Sequence, residues 1–132
     1  MVTTRIISDP VGDMLIRMKN ASMGGIGQFE VSASHERERV LSVLQKKGLI
    51  SRVEKAKSGN FDVLLVTLAD PNRVIEIKRI SKPGRRLYIK HNELYSVKGG
   101  RGFLLLSTSK GVLTESQAQK MGVGGELIAE LV

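Results

Sequence analysis

The chain has 132 residues and a mass of 14.5 kDa, with a formal net charge of +8 at pH 7 and a pI of about 10.1. This length suits one ordinary domain or two small lobes, and a hydrophobic content of 41% allows a core and argues against wholesale disorder. The absence of cysteine excludes disulfides, thiol catalysis and thiolate metal sites. Because His35 and His91 are far apart in the sequence, we expect no bound metal and no cofactor.

The sequence has no features of a membrane or secreted protein. No apolar run approaches the roughly 20 residues that a membrane-spanning helix needs. Near the N-terminus, Asp9 and Pro10 interrupt the sequence too early for the apolar core of a signal peptide. We therefore expect no membrane partner and a location in the cytoplasm, or in an organelle if a transit peptide has been removed.

The first predicted element is an amphipathic helix. Ser8 and Asp9 offer a capping side chain, and Pro10 follows at the first helical position. Apolar residues then recur at helical spacing: Val11, Met14, Leu15 and Met18. On or near the other side lie three polar residues, which form either a solvated face or a secondary nucleic-acid contact: Arg17, Lys19 and Asn20. A short strand is predicted over residues 28–31.

A second helix and a hairpin follow. The helix is predicted over about residues 34–47, where Ser34 can cap its start and Gly48 ends it. Residues 49–57 and 61–68 flank the turn residues SGN and are predicted to form a hairpin.

The element order predicts an α+β fold with two small lobes. The DPN sequence at residues 70–72 is the predicted boundary, so residues 1–72 form an N-terminal α/β lobe. Residues 73–132 form a mostly β lobe with a short helix. Its predicted elements are strands at 74–80 and 85–90, a helical turn at 92–97, a loop at 98–102, a buried strand at 103–107, a helix at 114–121 and a closing strand at 126–132.

The positive charge is concentrated in the C-terminal lobe. Residues 1–72 hold ten Lys/Arg against eight Asp/Glu, whereas residues 73–132 hold eleven against five. Six of these cations form a run without an intervening acid: Lys78, Arg79, Lys82, Arg85, Arg86 and Lys90. In a hairpin with Pro83-Gly84 at its tip, they would gather at one end and along one face. The run is either a solvated surface or a phosphate-binding surface, and mutual repulsion favours the second.

The apolar run FLLL at residues 103–106 is followed abruptly by the segment STSKG at residues 107–111, which has three hydroxyls, a lysine and a glycine. This segment is either a polar turn or a surface for phosphates and sugar hydroxyls, as an RNA minor groove displays them. It also matches the S-x-x-K pattern of penicillin-binding enzymes, but the S-D-N and K-T-G partners are missing and the chain is too short for an acyl-transfer pocket. We therefore expect no enzyme and no small-molecule substrate.

The segment GVGGE at residues 122–126 follows a predicted helix, whereas a dinucleotide fingerprint follows a strand. Its glycines end the helix and also allow another backbone to approach closely. Glu126 could accept a hydrogen bond from a base amino group or a sugar hydroxyl.

Tyr88 is either a half-packed strand residue or a group that stacks on a base or donates to a phosphate. Because aromatic residues make up only 4% of the chain, recognition of a structured nucleic-acid helix is favoured over recognition of single strands.

Four segments of the chain resemble conserved segments of one known family. Residues 9–20 match the pattern DP-x-x-DML-x-R-x-x-N, and residues 81–88 match SKPGRR-x-Y. Residues 107–114 and 122–126 match the C-terminal signature. Together, in this order and spacing, they resemble the family of the eighth protein of the bacterial-type small ribosomal subunit.

The resemblance implies a two-lobe α+β protein that binds the central domain of 16S-type rRNA directly and early in assembly, beside neighbouring small-subunit proteins. Its C-terminal lobe would lie against the minor groove of an irregular RNA helix. The residues implied at that contact are Ser107, Thr108, Ser109, Lys110 and Gly124. The residues implied nearby are Tyr88, Arg85, Arg86 and Glu126. The residues implied to touch other RNA are Arg17, Lys19, Asn20 and Lys55. We add Lys82 of the basic run to the RNA-binding residues.

The resemblance also implies a further partner. Some members of the family repress translation by binding a messenger site that imitates the rRNA helix, so the messenger of the protein's own operon is expected to bind. The chain departs from the family pattern in two places. Arg101 replaces the usual apolar residue in the loop at 96–102, and Glu130 would add negative charge near the site.

A DNA-binding module is the alternative class, because a helix–strand–helix–hairpin order is also found in winged-helix proteins. The charge distribution argues against it, since Glu36 and Glu38 lie among the arginines of the second predicted helix. Competition between duplex DNA and helical RNA would distinguish the two classes.

Overall fold

A computed structural model describes residues 9–132, which form three α-helices and two antiparallel β-sheets. The helices are α1 (Pro10–Met23), α2 (His35–Lys46) and α3 (Glu115–Met121). The strands are β1 (Gln28–Ser32), β2 (Ile50–Ser58), β3 (Phe61–Leu68), β4 (Ile77–Arg79), β5 (Tyr88–Ile89), β6 (Phe103–Thr108), β7 (Gly111–Thr114) and β8 (Gly125–Leu131). The predicted α+β class is confirmed. None of the helices in residues 9–132 has the length and apolar character needed to cross a membrane.

The first two helices begin where their capping side chains predict. Asp9 accepts a hydrogen bond from Gly12 N at 3.2 Å, and Pro10 occupies the first position of α1. Ser34 caps α2 in the same way. Ser8, the other predicted cap of α1, lies outside the described residues.

The first sheet has the strand order β1-β3-β2, and α1 and α2 pack against it. Successive side chains of a strand point to opposite faces, so every second residue of β3 enters the core. These residues are Leu64, Val66 and Leu68, and all three are buried.

In the second sheet, the last strand of the chain occupies a central position. β8 pairs with β6 on one side and with both β4 and β5 on the other, while β7 extends the sheet beyond β6. Helix α2 packs against β7, the strand at the outer edge of this sheet. The four residues at 103–106 are all buried, because the main core lies on one face and a smaller apolar cluster lies on the other.

The predicted pairing of the two strands of the basic hairpin with each other is wrong. β4 and β5 are shorter than the predicted strands at 74–80 and 85–90, and each pairs with β8 instead of with the other. A single bridge between Lys82 and Arg85 closes the turn between them. The cations of this run therefore follow one edge of β8 and a connecting loop, and they do not share one face of a ribbon.

Other local differences are short. Residues 111–114, which the hydrophobic pattern does not identify as a strand, form β7 through pairing with β6. The predicted helical turn at 92–97 is a 3₁₀ turn at His91–Glu93. A second 3₁₀ turn, Lys98–Gly100, lies within the predicted loop.

One main core joins residues from both sides of position 72. Met14 and Leu44 enter it from the N-terminal side, and Leu105 and Leu131 enter it from the C-terminal side, with all four side chains fully buried. The division into lobes at residue 72 stays a prediction. Because the apolar contacts are shared, we expect the two parts to unfold together.

An ion pair fastens the start of α1 to the second sheet. Arg79 Nη2 lies 2.6 Å from Asp9 Oδ2 and also donates to Ser81 O at 3.1 Å. Gly12 lies against this pair, and a Cβ there would be 2.5 Å from Arg79 Cζ. A side chain at position 12 would therefore displace the link between α1 and β4.

Candidate nucleic-acid interface

The predicted C-terminal site residues meet where β8 begins. Tyr88 lies opposite Glu126 on one side of β8, and Ser107 lies opposite the same residue on the other side. Gly124 and Gly125 form the adjoining corner. We define these five residues as the β8 entry surface. The sheet thus brings together groups from three segments that are far apart in the sequence.

Gly124 and Gly125 let three strands approach closely at this corner. A Cβ on Gly124 would collide with Ile89 O and would lie 2.9 Å from Lys90 Cα. A Cβ on Gly125 would collide with Ser107 O. These are backbone atoms, which cannot rotate away as a side chain can. The expected close approach of another backbone at this segment is confirmed.

The β6–β7 hairpin ends in the two-residue turn Ser109-Lys110. The hydroxyl of Thr108 closes this turn, since it donates to Gly111 O at 2.8 Å and accepts from Lys110 N at 3.1 Å. Gly111 has a φ of 104°, which a residue with a side chain rarely adopts. Ser109 and Lys110 are exposed, and their side chains make no hydrogen bond within residues 9–132. Thr108 is therefore a structural residue of the turn, whereas the other two are accessible to a partner.

This difference predicts different stabilities for two hydroxyl substitutions. Thr108→Val should lower the free energy of unfolding by about 1–2 kcal/mol, because it removes two hydrogen bonds of the turn. Ser109→Ala should change it by less than about 0.5 kcal/mol, because this side chain is exposed. Urea unfolding of both variants measures the difference, and equal losses would contradict the assigned role of Thr108.

Glu126 forms an ion pair within the site. Its Oε2 atom accepts a hydrogen bond from Arg86 Nη1 at 3.0 Å, and its side chain is only 17% exposed. This hydrogen bond, followed by the charge of Glu126, raises the pKa of Arg86 above its ordinary value. The second oxygen, Oε1, is left as an acceptor for a donor group such as a base amino group or a sugar hydroxyl.

Ser81 shapes the loop that precedes β5. Its hydroxyl accepts from Leu87 N at 2.9 Å and donates to Leu87 O at 3.2 Å, and the residue is buried. The loop is thereby closed, with Lys82 and Arg85 exposed. Sequence reasoning missed this role of Ser81, although the residue lies in the SKPGRR segment, because a buried serine hydroxyl has no periodic signal.

Tyr88 has an exposed ring. It is 73% accessible, so the interpretation as a half-packed strand residue is wrong. An exposed aromatic ring beside cations and hydroxyls can stack on a base or donate to a phosphate.

Two members of the basic run have counter-charges from distant parts of the chain. Arg79 pairs with Asp9, and Arg86 pairs with Glu126. The prediction of six uncompensated cations is therefore corrected. The four that are exposed and make no ion pair within residues 9–132 are Lys78, Lys82, Arg85 and Lys90.

A cleft of about 460 Å³ adjoins the β8 entry surface. Its walls include Ser107 and Glu126 from the second sheet, Arg86 from the loop before β5 and Arg39 from α2. Sequence reasoning missed Arg39, because its acidic helix neighbours suggest a solvated face. Within residues 9–132, no three His, Cys, Asp or Glu side chains are grouped to hold a metal ion.

The N-terminal candidates lie on other elements. Arg17 donates from Nη1 to Glu30 O at 3.2 Å, and Lys55 pairs with Glu38 at 3.1 Å. Lys19 and Asn20 have exposed side chains on α1. The structure does not bring these four residues into the β8 entry surface, and their RNA contacts stay a prediction.

Glu130 lies away from the β8 entry surface, four residues along β8 from Glu126. It is opposite Lys78 and Leu104, and its Oε1 accepts a hydrogen bond from Tyr95 Oη at 2.7 Å. Burial, followed by this hydrogen bond, raises the pKa of Tyr95 to about 12. The expectation that Glu130 adds charge near the site is therefore wrong.

Comparison with known proteins gives one consistent family. The family model described as ribosomal protein S8 matches residues 9–132. Small ribosomal subunit protein uS8 of Thermoanaerobacter sp. (strain X514) is 43% identical over 127 residues, covering 93% of this chain and 96% of that protein. The uS8 protein of Exiguobacterium sibiricum is 43% identical over 128 residues, covering 94% and 97%. That of Dictyoglomus thermophilum is 41% identical over 125 residues, covering 92% and 95%. The chain belongs to the ribosomal protein S8 family, whose members are structural proteins of the small ribosomal subunit and not enzymes.

Proposed function

We propose that this chain is a structural constituent of the small ribosomal subunit that binds the central domain of 16S-type rRNA directly and supports its assembly. The observation that carries this proposal is the β8 entry surface. There, the exposed Tyr88 and Ser107 flank a glycine corner in a protein of the S8 family. The exposed turn Ser109-Lys110 continues from the strand of Ser107, and the exposed Lys82 and Arg85 lie in the loop before the strand of Tyr88.

Two kinds of contact would contribute to RNA binding, one to affinity and the other to specificity. Lys82, Arg85 and Lys110 would neutralise phosphates, which supplies affinity without reading shape. Ser107, Ser109 and the backbone around Gly124 would contact sugar hydroxyls and base edges of a shaped minor groove. In that groove, Oε1 of Glu126 can accept hydrogen bonds but repels phosphates, so a polyanion without matching donors is disfavoured.

Ser109→Ala tests the hydroxyl contact. We expect it to weaken binding to a short hairpin from the central domain of small-subunit rRNA by about 5- to 10-fold, because the hydroxyl contributes about 1 kcal/mol. Binding is measured at moderate salt against excess tRNA, with unfolding in urea as the control for structure. Unchanged affinity would remove this turn from the interface. Loss of wild-type binding in the presence of tRNA would contradict specific recognition.

Arg85→Ala tests the phosphate contacts. We expect a uniform loss of affinity and a salt slope that falls by about one unit or less, because one released counterion disappears. An unchanged slope would exclude Arg85 from the phosphate contacts. Duplex DNA as a competitor tests the DNA-binding alternative, and displacement of the hairpin by equimolar duplex DNA would favour that class.

We also propose that neighbouring small-subunit proteins and a messenger site that imitates the rRNA helix are partners of the same protein. A messenger that imitates the helix would occupy the same β8 entry surface as the rRNA. The two RNAs should therefore compete, and simultaneous binding would contradict a shared site.

A further inference from the structure

A second groove lies between the end of α2 and the outer side of α3, with a volume of about 240 Å³. It is lined by residues of three elements: Val43, Lys46, Lys47, Thr114, Ser116, Gln117 and Lys120. Three of its seven lining residues are lysines, and none is acidic. We name this feature the lysine groove.

The three lysines have no counter-charge in the described part of the chain. Every ion pair between residues 9 and 132 involves other residues. Glu115, the acid next to the groove in sequence, is occupied elsewhere, since its Oε2 atom accepts from Leu104 N at 2.6 Å. The groove is therefore a local concentration of uncompensated positive charge.

Part of this charge has a local cause, because lysines near a helix C-terminus are favourable to the helix dipole. Lys46 and Lys47 end α2, and Lys120 lies in the last turn of α3. The dipole explains a lysine on each helix, but it does not require both helix ends to face one groove. Lys47 also makes a cation–π contact, with its Nζ atom 5.2 Å from the centre of the Phe103 ring.

The rest of the lining favours a phosphate backbone over a protein partner. Ser116 is exposed and offers a hydroxyl, and Gln117 uses its Oε1 atom in the α3 capping box, which leaves its Nε2 hydrogens as donors. The only large apolar lining residue, Val43, is buried. Protein interfaces usually need an accessible apolar or aromatic anchor, whereas phosphates need cations and hydrogen-bond donors.

The lysine groove is separated from the β8 entry surface. Val112 of β7 lies opposite Ser107 of the β8 entry surface, and Thr114, two residues further along β7, lines the groove. At about 3.3 Å per residue, this step along β7 is about 7 Å long. RNA bound at the β8 entry surface could therefore place an adjoining strand near the groove.

We propose that the lysine groove binds the phosphate backbone of a second RNA segment, adjoining the one at the β8 entry surface. This inference rests on the proposed function, since it names a further contact of the same RNA partner. Each lysine that contacts a phosphate would release about one counterion and would add to the salt dependence of binding.

The test compares two double variants that each remove two positive charges. Lys46→Gln with Lys120→Gln removes two of the three positive charges that line the groove. The contact between Lys47 and the Phe103 ring is retained. Arg73→Gln with Lys98→Gln removes two exposed cations elsewhere that also make no ion pair within the described residues, and serves as the matched control. All four side chains are exposed, so both variants should fold. Each is titrated with the short hairpin and with a longer central-domain transcript that contains it.

The groove variant should bind the longer transcript about 10-fold more weakly than the control variant does, with a salt slope lower by about one to two units. Both variants should bind the short hairpin equally. Equal binding of the two variants to the longer transcript would overturn the proposal, and an acidic protein segment would then be the better occupant. Failure of the wild-type protein to bind the short hairpin would contradict the proposed function alone. The proposal for the groove is tested separately, by comparing the two variants on the longer transcript.

Discussion

Gly124→Ala should lower the free energy of unfolding by about 2–3 kcal/mol and should also weaken RNA binding at temperatures where the variant is folded. The added Cβ would collide with Ile89 O, so β5 must move away from β8. That movement separates Tyr88 from Glu126 and stretches the hydrogen bond from Leu127 N to Leu87 O, which is 2.9 Å long. A single methyl group therefore affects both the sheet and the proposed RNA surface.

Gly84→Ala is the matched control for this substitution. A Cβ at position 84 would have no heavy atom within 4 Å, although the residue lies in the same SKPGRR segment as the exposed cations. We expect unfolding and RNA binding to stay close to wild type. If the two alanine variants lost the same stability in urea, close packing at Gly124 would not be the cause.

Leu105→Ala should lower the free energy of unfolding by about 2–5 kcal/mol, because it leaves a cavity in the core that both sheets share. The side chain is fully buried, in the same cluster as Met14 and Leu44. Far-UV circular dichroism follows mainly α1 and α2, whereas fluorescence follows Tyr88 and Tyr95. The unfolding transitions followed by the two signals should shift together to a lower urea concentration.

The control for the core substitution is Ile16→Ala, at an α1 position that is 48% exposed. It should change stability much less, because it leaves no cavity. If Leu105→Ala shifted the tyrosine transition alone, the parts before and after residue 72 would be independent folding units.

Local patterns were sufficient for the elements that depend on their own residues. Helical spacing and capping side chains predict α1 and α2, and the turn residues SGN predict the β2–β3 hairpin. β7 was missed because it has only four residues, and its last residue, Thr114, is also the cap of α3. A strand this short is defined by its partner and not by its own pattern.

The arrangement of the proposed site depends on pairing between distant segments. The pairs that form it include Arg86 with Glu126, forty residues away, and no local pattern specifies them. For the same reason, the basic run was expected to form a hairpin with itself, although both of its strands pair with β8. The residue types of the site could be predicted from the sequence, whereas their counter-charges and contacts required the fold.

The central position of β8 has a consequence for synthesis of the protein. Of the strands in residues 9–132, β8 is synthesised last, yet it is the only one of them that pairs with β4 and β5. A nascent chain that stops before residue 125 can already form the first sheet and its two helices, but the edge carrying Tyr88 has nothing to pair with. The proposed RNA binding should therefore appear late and abruptly, when residues 125–131 are added, so chains that stop earlier would not compete for the rRNA.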